Sequence, residues 1–430
     1  MKKLLILLVI LAALLATPYF VGSQAEGKMR DVYAELNKMP TYEVTVSEYN
    51  RGWFSSSAKV RFAIKIPQTA QTIPDFGLTV TQQMQHGPFL WHSQGFGVGL
   101  VDIDFGIELD DAMQAELDKV DALSKDNIRA TSRVAFGGSM SSQFEITPFV
   151  IDKESVNIAI HQAQVTSSLD SDNHILGQGE WDGMSVSDKG VKVFELGKTR
   201  FSMDQKLASG ELLSPDAIFV GDFSMNMDRI NVLAETPQQN FQMNEISLIA
   251  TSDINDDLAN INIVMGAKEM SVIQQQFSDL VYDVSIEKLD VATLQEFNRL
   301  MAENQGADPM VMAAQFQSVL PKLIEKGPML KINQIGVNTS EGKITSDMQL
   351  TFDNQVYDAN NPMTMMLALD AKAKGNAPEA FFTNLGMGAN IEQMVQQNFL
   401  VRDNDLLKFD FTFKGGQALL NGNPIPLGAM

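Results

Sequence analysis

The chain holds 430 residues, with 53 Asp plus Glu against 32 Lys plus Arg; the formal net charge of −21 excludes a general nucleic-acid partner. Hydrophobic residues at 44% and charged residues at 20% are enough for a sizeable core and argue against wholesale disorder. Cysteine is absent, which removes disulfides, thiolate catalysis, iron–sulfur clusters and Cys-based zinc sites together.

Met1-Lys2-Lys3 precede an apolar stretch from Leu4 to Val21, about 27 Å of helix at 1.5 Å per residue, enough to cross a hydrocarbon core. The two lysines would stay cytoplasmic and send the rest of the chain outside. Two readings stand for residues 1–25. Lys-Lys, the Leu-rich run and Ser23-Gln24-Ala25 have the form of a cleavable signal peptide cut after Ala25. The favoured reading is an uncleaved transmembrane anchor. Tyr19 and Phe20 fall where an interfacial aromatic pair would lie. Met29, Val32, Tyr33 and Leu36 then continue at i, i+3, i+4, i+7 through a juxtamembrane amphipathic helix over residues 26–40, up to a turn at Pro40. Either reading places residues 41–430 on the periplasmic face of a bacterial inner membrane, with a cytoplasmic N-terminus if uncleaved.

Beyond Pro40 the period is two. Tyr42, Val44 and Val46 alternate with polar residues, as do Ala58, Val60, Phe62, Ile64 and Ile66, then Val101, Ile103, Phe105, Ile107 and Leu109. Weaker versions recur to Phe409-Phe411-Phe413, joined by turn clusters such as Asn421-Gly422-Asn423. Helices are expected at 110–124, from an N-cap at Asp290 to Gln305, from Asp308-Pro309 to Lys326, and over 376–400. With no linker rich in Pro, Gly or Ser, residues 41–430 read as one continuous module. The expected fold is mainly β (α+β): an elongated, largely antiparallel, twisted multi-stranded sheet with helices near 290–326 and 376–400.

Arg51-Gly52-Trp53-Phe54 lies between two predicted strands. As a hairpin, Gly52 would take a positive φ and Trp53 with Phe54 would plug one end of the core. As a functional element, it would be an exposed aromatic-plus-Arg patch of the kind enriched in interfaces. His86-Gly87-Pro88 reads as a turn in which His86 bonds nearby backbone, since no other histidine stands at a metal-binding spacing. Asp170-x-Asp172 and Asp253-x-Asn255-x-Asp257 lack the Gly and Glu of a calcium loop. Asp102, Asp104 and Glu108 share one strand face, read as a solvated surface. Gly137-Gly138-Ser139-Met140-Ser141 is not a nucleophile elbow, and Gly95-Phe96-Gly97-Val98-Gly99 leads into a strand rather than a helix. No catalytic, cofactor or metal residue is assigned. The 24 methionines read as loose core filling, or as a deformable lining for acyl chains or partners.

Taken in order, Arg51-Gly52-Trp53-Phe54-Ser55-Ser56, His86-Gly87-Pro88-Phe89, Leu289-Asp290, Gly327-Pro328 and the terminal Gly416 to Pro424 run resemble the YdgA-like (YdgA/YihF) family of bacterial envelope proteins with a domain of unknown function. The resemblance covers essentially the whole chain. It implies an inner-membrane-associated periplasmic protein that self-associates, and it supplies no catalytic mechanism. The expectation is therefore a non-catalytic interaction or scaffold protein whose partners are the inner membrane, a second copy or an envelope protein. The alternative is a carrier of lipid or another hydrophobic ligand in a β-sheet groove.

Overall fold

In a computed structural model the chain is mainly β, with strands making up 60% of the described residues, against about 20–25% in an average domain. The structure describes residues 2–38, 42–64, 77–92, 95–108, 127–153, 155–234, 236–273, 275–304, 309–358, 361 and 363–425; for residues 2–15 and a few element ends it describes the backbone alone. The expected helix over 110–124 lies outside the described residues. Two compact units are present: Met1–Val191 with Arg200–Phe219 and Asn298–Met312, and Lys192–Thr199 with Val220–Phe297 and Ala313–Met430.

The first unit begins with α1 (Lys2–Leu36), unbroken through Ser23-Gln24-Ala25. Among the described residues no helix is long and apolar enough to cross a membrane; the side chains of Leu4–Leu15, on which that expectation mostly rests, are outside the description. The strands that follow are β1 (Tyr42–Arg51), β2 (Ser55–Ile64), β3 (Gly77–His86), β4 (Phe89–His92), β5 (Gly95–Val98), β6 (Val101–Glu108), β7 (Ile128–Val134) and β8 (Met140–Ile146). β1, β2, β3, β6, β7 and β8 pair antiparallel in that order, and β8 continues to Ala163–Leu169 and then His174–Trp181. β4 and β5 stand apart as a small hairpin.

Alternation decides which residues are covered. In β2 Ser56, Ala58 and Val60 are buried while Ser57 and Lys59 are only partly so, as a period of two requires when one face is packed. What covers that face is α1. Its Tyr33 joins Val44, Ala58, Val60, Met84 and Val101 in one core, with Met29 and Leu36 packed against it. Three members of the predicted apolar stripe thus meet the sheet, and Val32 is exposed.

The second unit is built on long antiparallel strands, Ile218–Val232, Phe241–Asn255, Leu258–Val272 and Gln275–Asp290, continued by Met329–Thr339, Gly342–Phe352, Leu369–Pro378 and Leu406–Lys414. Asp290 does cap α2 (Val291–Glu303): its Oδ2 accepts from the Thr293 N–H at 2.9 Å and the Thr293 hydroxyl at 2.6 Å. Phe297 of α2 meets Phe316 of α3 (Pro309–Ile324) edge to face at 6.1 Å. Asn376-Ala377-Pro378 pair with Leu406–Lys408 and end a strand, and Pro378 is at the same time the N-cap of the helix expected to start near these residues. After α4 (Met363–Ala368), α5 (Glu379–Asn384) begins directly beyond Pro378 and α6 (Gly388–Gln396) follows. Met310, Met363, Met366, Met387 and Met394 are exposed, so core filling does not account for these five, whereas Met312 and Met365 are partly buried.

Candidate functional site

Strand register gathers the sequence motifs at one end of the first unit. Arg51 pairs with Ser56, Ser55 with Gln85, His86 with Val101, and Val101 with Val134, which in turn pairs with Met140. The 52–54 turn, the 87–100 segment and the 135–139 turn therefore close the same edge of the sheet. Backbone bonds tie them together: His86 N–H to the Phe54 carbonyl (2.8 Å), Gly87 N–H to Leu100 (2.7 Å) and Leu100 N–H to Val134 (2.8 Å). The Arg-Gly-Trp-Phe and His-Gly-Pro segments, some thirty residues apart in sequence, are thus neighbours.

His86 is at the centre, 2% exposed. Its Nε2 lies 2.9 Å from the Ser56 hydroxyl and its Nδ1 3.4 Å from the Trp53 carbonyl. A carbonyl can only accept, so these partners assign the ring proton to Nδ1 and make Nε2 the acceptor from Ser56. Burial pushes the imidazole below its ordinary value; the carbonyls of Trp53 and Pro18 oppose that shift, and the Arg51 charge adds to it. The ring packs on α1 at Gly22, where a Cβ would fall 2.2 Å from His86 Cε1. Only glycine allows this approach.

Further contacts run along α1. Glu26 Oε2 accepts from Arg51 Nη1 at 3.2 Å, and the Arg51 guanidinium lies 5.3 Å from the Tyr19 ring centroid. Tyr19 in turn meets Trp53 at 5.1 Å. Deeper in, the buried Gln82 amide donates to the Tyr33 hydroxyl. At the far end Asn37 makes a reciprocal pair with Val44, each bond 2.7 Å. The lengths match: Gly22 to Asn37 is about 22 Å of helix, and Arg51 back to Val44 about 23 Å of strand.

The opposite face of the sheet is capped by the β4–β5 hairpin. Asp102, expected on a solvated surface, is 2% exposed. It takes a two-pronged ion pair from Arg133, with Nε to Oδ1 at 2.6 Å and Nη2 to Oδ2 at 2.7 Å. Arg133 Nη2 also donates to the Gly95 carbonyl at 2.8 Å, so the salt bridge anchors the hairpin. Register explains the burial: Asp102 pairs directly with Arg133, and the hairpin folds over both. Within the hairpin Leu90 is fully buried, while Phe89, Trp91, Phe96 and Val98 face outward.

Two expectations for the Arg51–Phe54 turn are corrected. Gly52 does not take a positive φ; what favours glycine is the Ser55 carbonyl, 2.8 Å from where a Cβ would stand. Trp53 and Phe54 do not plug the core, being 52% and 53% exposed. His86, Ser56 and α1 at Gly22 already fill that space. Pro88 follows Gly87 and hands the chain to β4, its carbonyl accepting from Gly99 N–H at 3.1 Å.

Ser56 and His86, a pair no sequence motif joins, have the spacing of a nucleophile and its base. The surroundings do not suit catalysis. Both side chains are buried beneath α1, and Nδ1 faces a carbonyl where a triad would place a carboxylate. Elsewhere Asp170 shapes a turn, its Oδ1 accepting from the N–H of Asp172 and His174.

Fold and site together define a mainly β protein whose first sheet is closed by its own N-terminal helix, clamped at Gly22, Tyr33 and Asn37. The chain belongs to the family described as bacterial protein of unknown function (DUF945), whose model it matches over residues 1–428. No curated protein and no solved structure matches it.

Proposed function

We propose that this chain is a YdgA-like, non-catalytic interaction or scaffold protein, held at the periplasmic face of a bacterial inner membrane by an uncleaved N-terminal helix. One observation carries the reading. α1 is a single helix through the candidate cleavage point, and Tyr19 and Gly22, before that point, pack on Trp53 and His86. A cut after Ala25 would strip those contacts and expose a buried imidazole, a cost a signal peptide does not carry. The apolar run from Leu4 reaches into the clamp at Tyr19, and the part ahead of that contact, Leu4–Pro18, is about 22 Å of helix that would enter the bilayer. Mass measurement of the protein extracted from membranes tests this: an intact Met1–Met430 chain that resists alkaline carbonate supports the anchor, and a soluble chain beginning at Glu26 overturns it.

The carrier reading has a separate observation behind it. In the second unit an open trough of about 760 Å³ is lined by Met227, Ile246, Val264, Met265, Leu280 and Val281 together with the charged Asp228, Glu245, Lys268, Asp279 and Lys343. Native mass spectrometry of the full chain from mild detergent separates the two. Near-stoichiometric phospholipid that survives desolvation favours the carrier; a lipid-free monomer or dimer favours the scaffold.

A further inference from the structure

The clamped end of the first unit carries an apolar surface that the anchor alone does not use. Trp53 and Phe54 on the first turn, Phe89, Trp91 and Phe96 on the β4–β5 hairpin, and Phe136 on the β7–β8 turn are all exposed, Trp91 and Phe96 by 64% and 65%. Register places the 52–54 turn, the 135–139 turn and the root of the hairpin at one end of the strands, from which the hairpin folds over the face opposite α1. Trp91 lies between Phe89 and Phe96, with ring centroids 6.1 and 5.5 Å away. We propose that this aromatic edge beds in the headgroup layer of the same bilayer that α1 enters, so that the first unit is held against the membrane by two elements.

Three observations choose lipid over another occupant. The edge is continuous with the anchor: Tyr19 and Phe20 of α1 are exposed beside Trp53, and the helix runs on from there to Lys2. Charge is the second. Residues 49–58, 86–100 and 134–144 contain no Asp or Glu, and Arg51 is their one charged residue, in a chain with 53 acidic residues and a net charge of −21. That field would repel an anionic leaflet, and this is the edge from which it is missing. Composition is the third: Trp, Tyr and Phe with hydroxyl and glycine spacers match the interfacial belt of membrane proteins, where amphipathic rings sit at headgroup level. The edge is also presented rigidly, since the Asp102–Arg133 pair holds the hairpin at the Gly95 carbonyl and Gly97 leaves room for the guanidinium, 2.2 Å from where its Cβ would stand.

The inference rests on the anchor reading, and the test keeps the two apart. The chain has three tryptophans: Trp53 and Trp91 on this edge, and Trp181 paired with Ala163, level with Ile146 at the opposite end of β8. Full-length protein is placed in phosphatidylcholine–phosphatidylglycerol vesicles containing lipids brominated near the headgroup. Emission is read from single-tryptophan variants, W53F/W181F for Trp91 and W53F/W91F for Trp181, each checked by circular dichroism. The expected result is about twofold quenching of Trp91 with a blue shift, and no quenching of Trp181. Protein that resists carbonate but shows an unquenched, red-shifted Trp91 leaves the anchor standing and overturns the bedding. A blue-shifted Trp91 that bromine does not quench assigns the edge to a protein partner and also overturns it. Protein that carbonate washes off the vesicles overturns the anchor, and the bedding with it. If the Trp91 variant loses its fold, the W91F/W181F chain reads the same edge through Trp53.

Discussion

A methyl group on Gly22 would lie 2.2 Å from Cε1 of His86, so a helix glycine and a buried imidazole share one contact surface. In an undocked helix Gly→Ala stabilises by about 0.5–1 kcal/mol. Here Gly22→Ala is expected to destabilise instead, by about 1–3 kcal/mol of overpacking. Chemical denaturation of the first unit's transition measures the sign. The double variant G22A/H86A, which opens space for the new methyl, should recover part of the loss.

Tyr33 and Gln82 form the second clamp. Tyr33→Phe leaves a buried amide without its partner and should cost about 1–3 kcal/mol. Pairing it with Gln82→Leu removes both polar groups, and the double variant should be more stable than Tyr33→Phe by itself. Additive losses in that thermodynamic cycle would show that the two residues do not interact.

The pH dependence follows from His86. Its folded value lies below the ordinary 6.5 because burial disfavours the imidazolium. The unfolded chain therefore binds the proton first as pH falls, and His86 stabilises the fold fully only above about 6.5. That contribution is lost as pH drops from the ordinary value through the lowered one. Wild type should lose stability over this window more steeply than His86→Gln, as followed by thermal melts across the acid range. Parallel profiles would mean that His86 titrates alike in both states.

Asp102 and Arg133 contrast with the exposed pairs. Asp102→Asn leaves a largely buried guanidinium without its counter-charge and is expected to cost about 3 kcal/mol, with the β4–β5 hairpin gaining protease sensitivity. Lys268 and Asp279, 2.8 Å apart but both more than half exposed, should contribute far less, because solvent screens them. Denaturation midpoints of Asp102→Asn and Lys268→Met rank the two, and equal midpoints would reject the difference.

Much of the fold was legible because its signals are local. The alternation around Val60 and from Val101 to Ile107 appears as β2 and β6, since side chains on a strand must point to opposite faces whatever lies above them. Asp290 caps its helix because an N-cap needs only the next three residues. The helix expected near Asn376-Ala377-Pro378 begins at Glu379 with Pro378 as its N-cap, while the pairing of those three residues with Leu406–Lys408 was not legible, because the partner strand lies about thirty residues away.

The candidate site was legible only as a set of residues. From the sequence alone came a long apolar helix carrying Tyr33 in phase, an Arg-Gly-Trp-Phe turn, a His-Gly-Pro turn and the two-residue period of the strands between them. Alternation separates two faces and does not say which is covered or by what. Tertiary structure decided that α1 closes the face bearing Ser56, Gln82 and His86, turning three polar residues into buried partners of one another and of Tyr33. It also decided that Asp102, with the same spacing as a solvated carboxylate, is sealed under a hairpin by Arg133. Burial depends on contacts between segments tens of residues apart, and no local pattern contains that information.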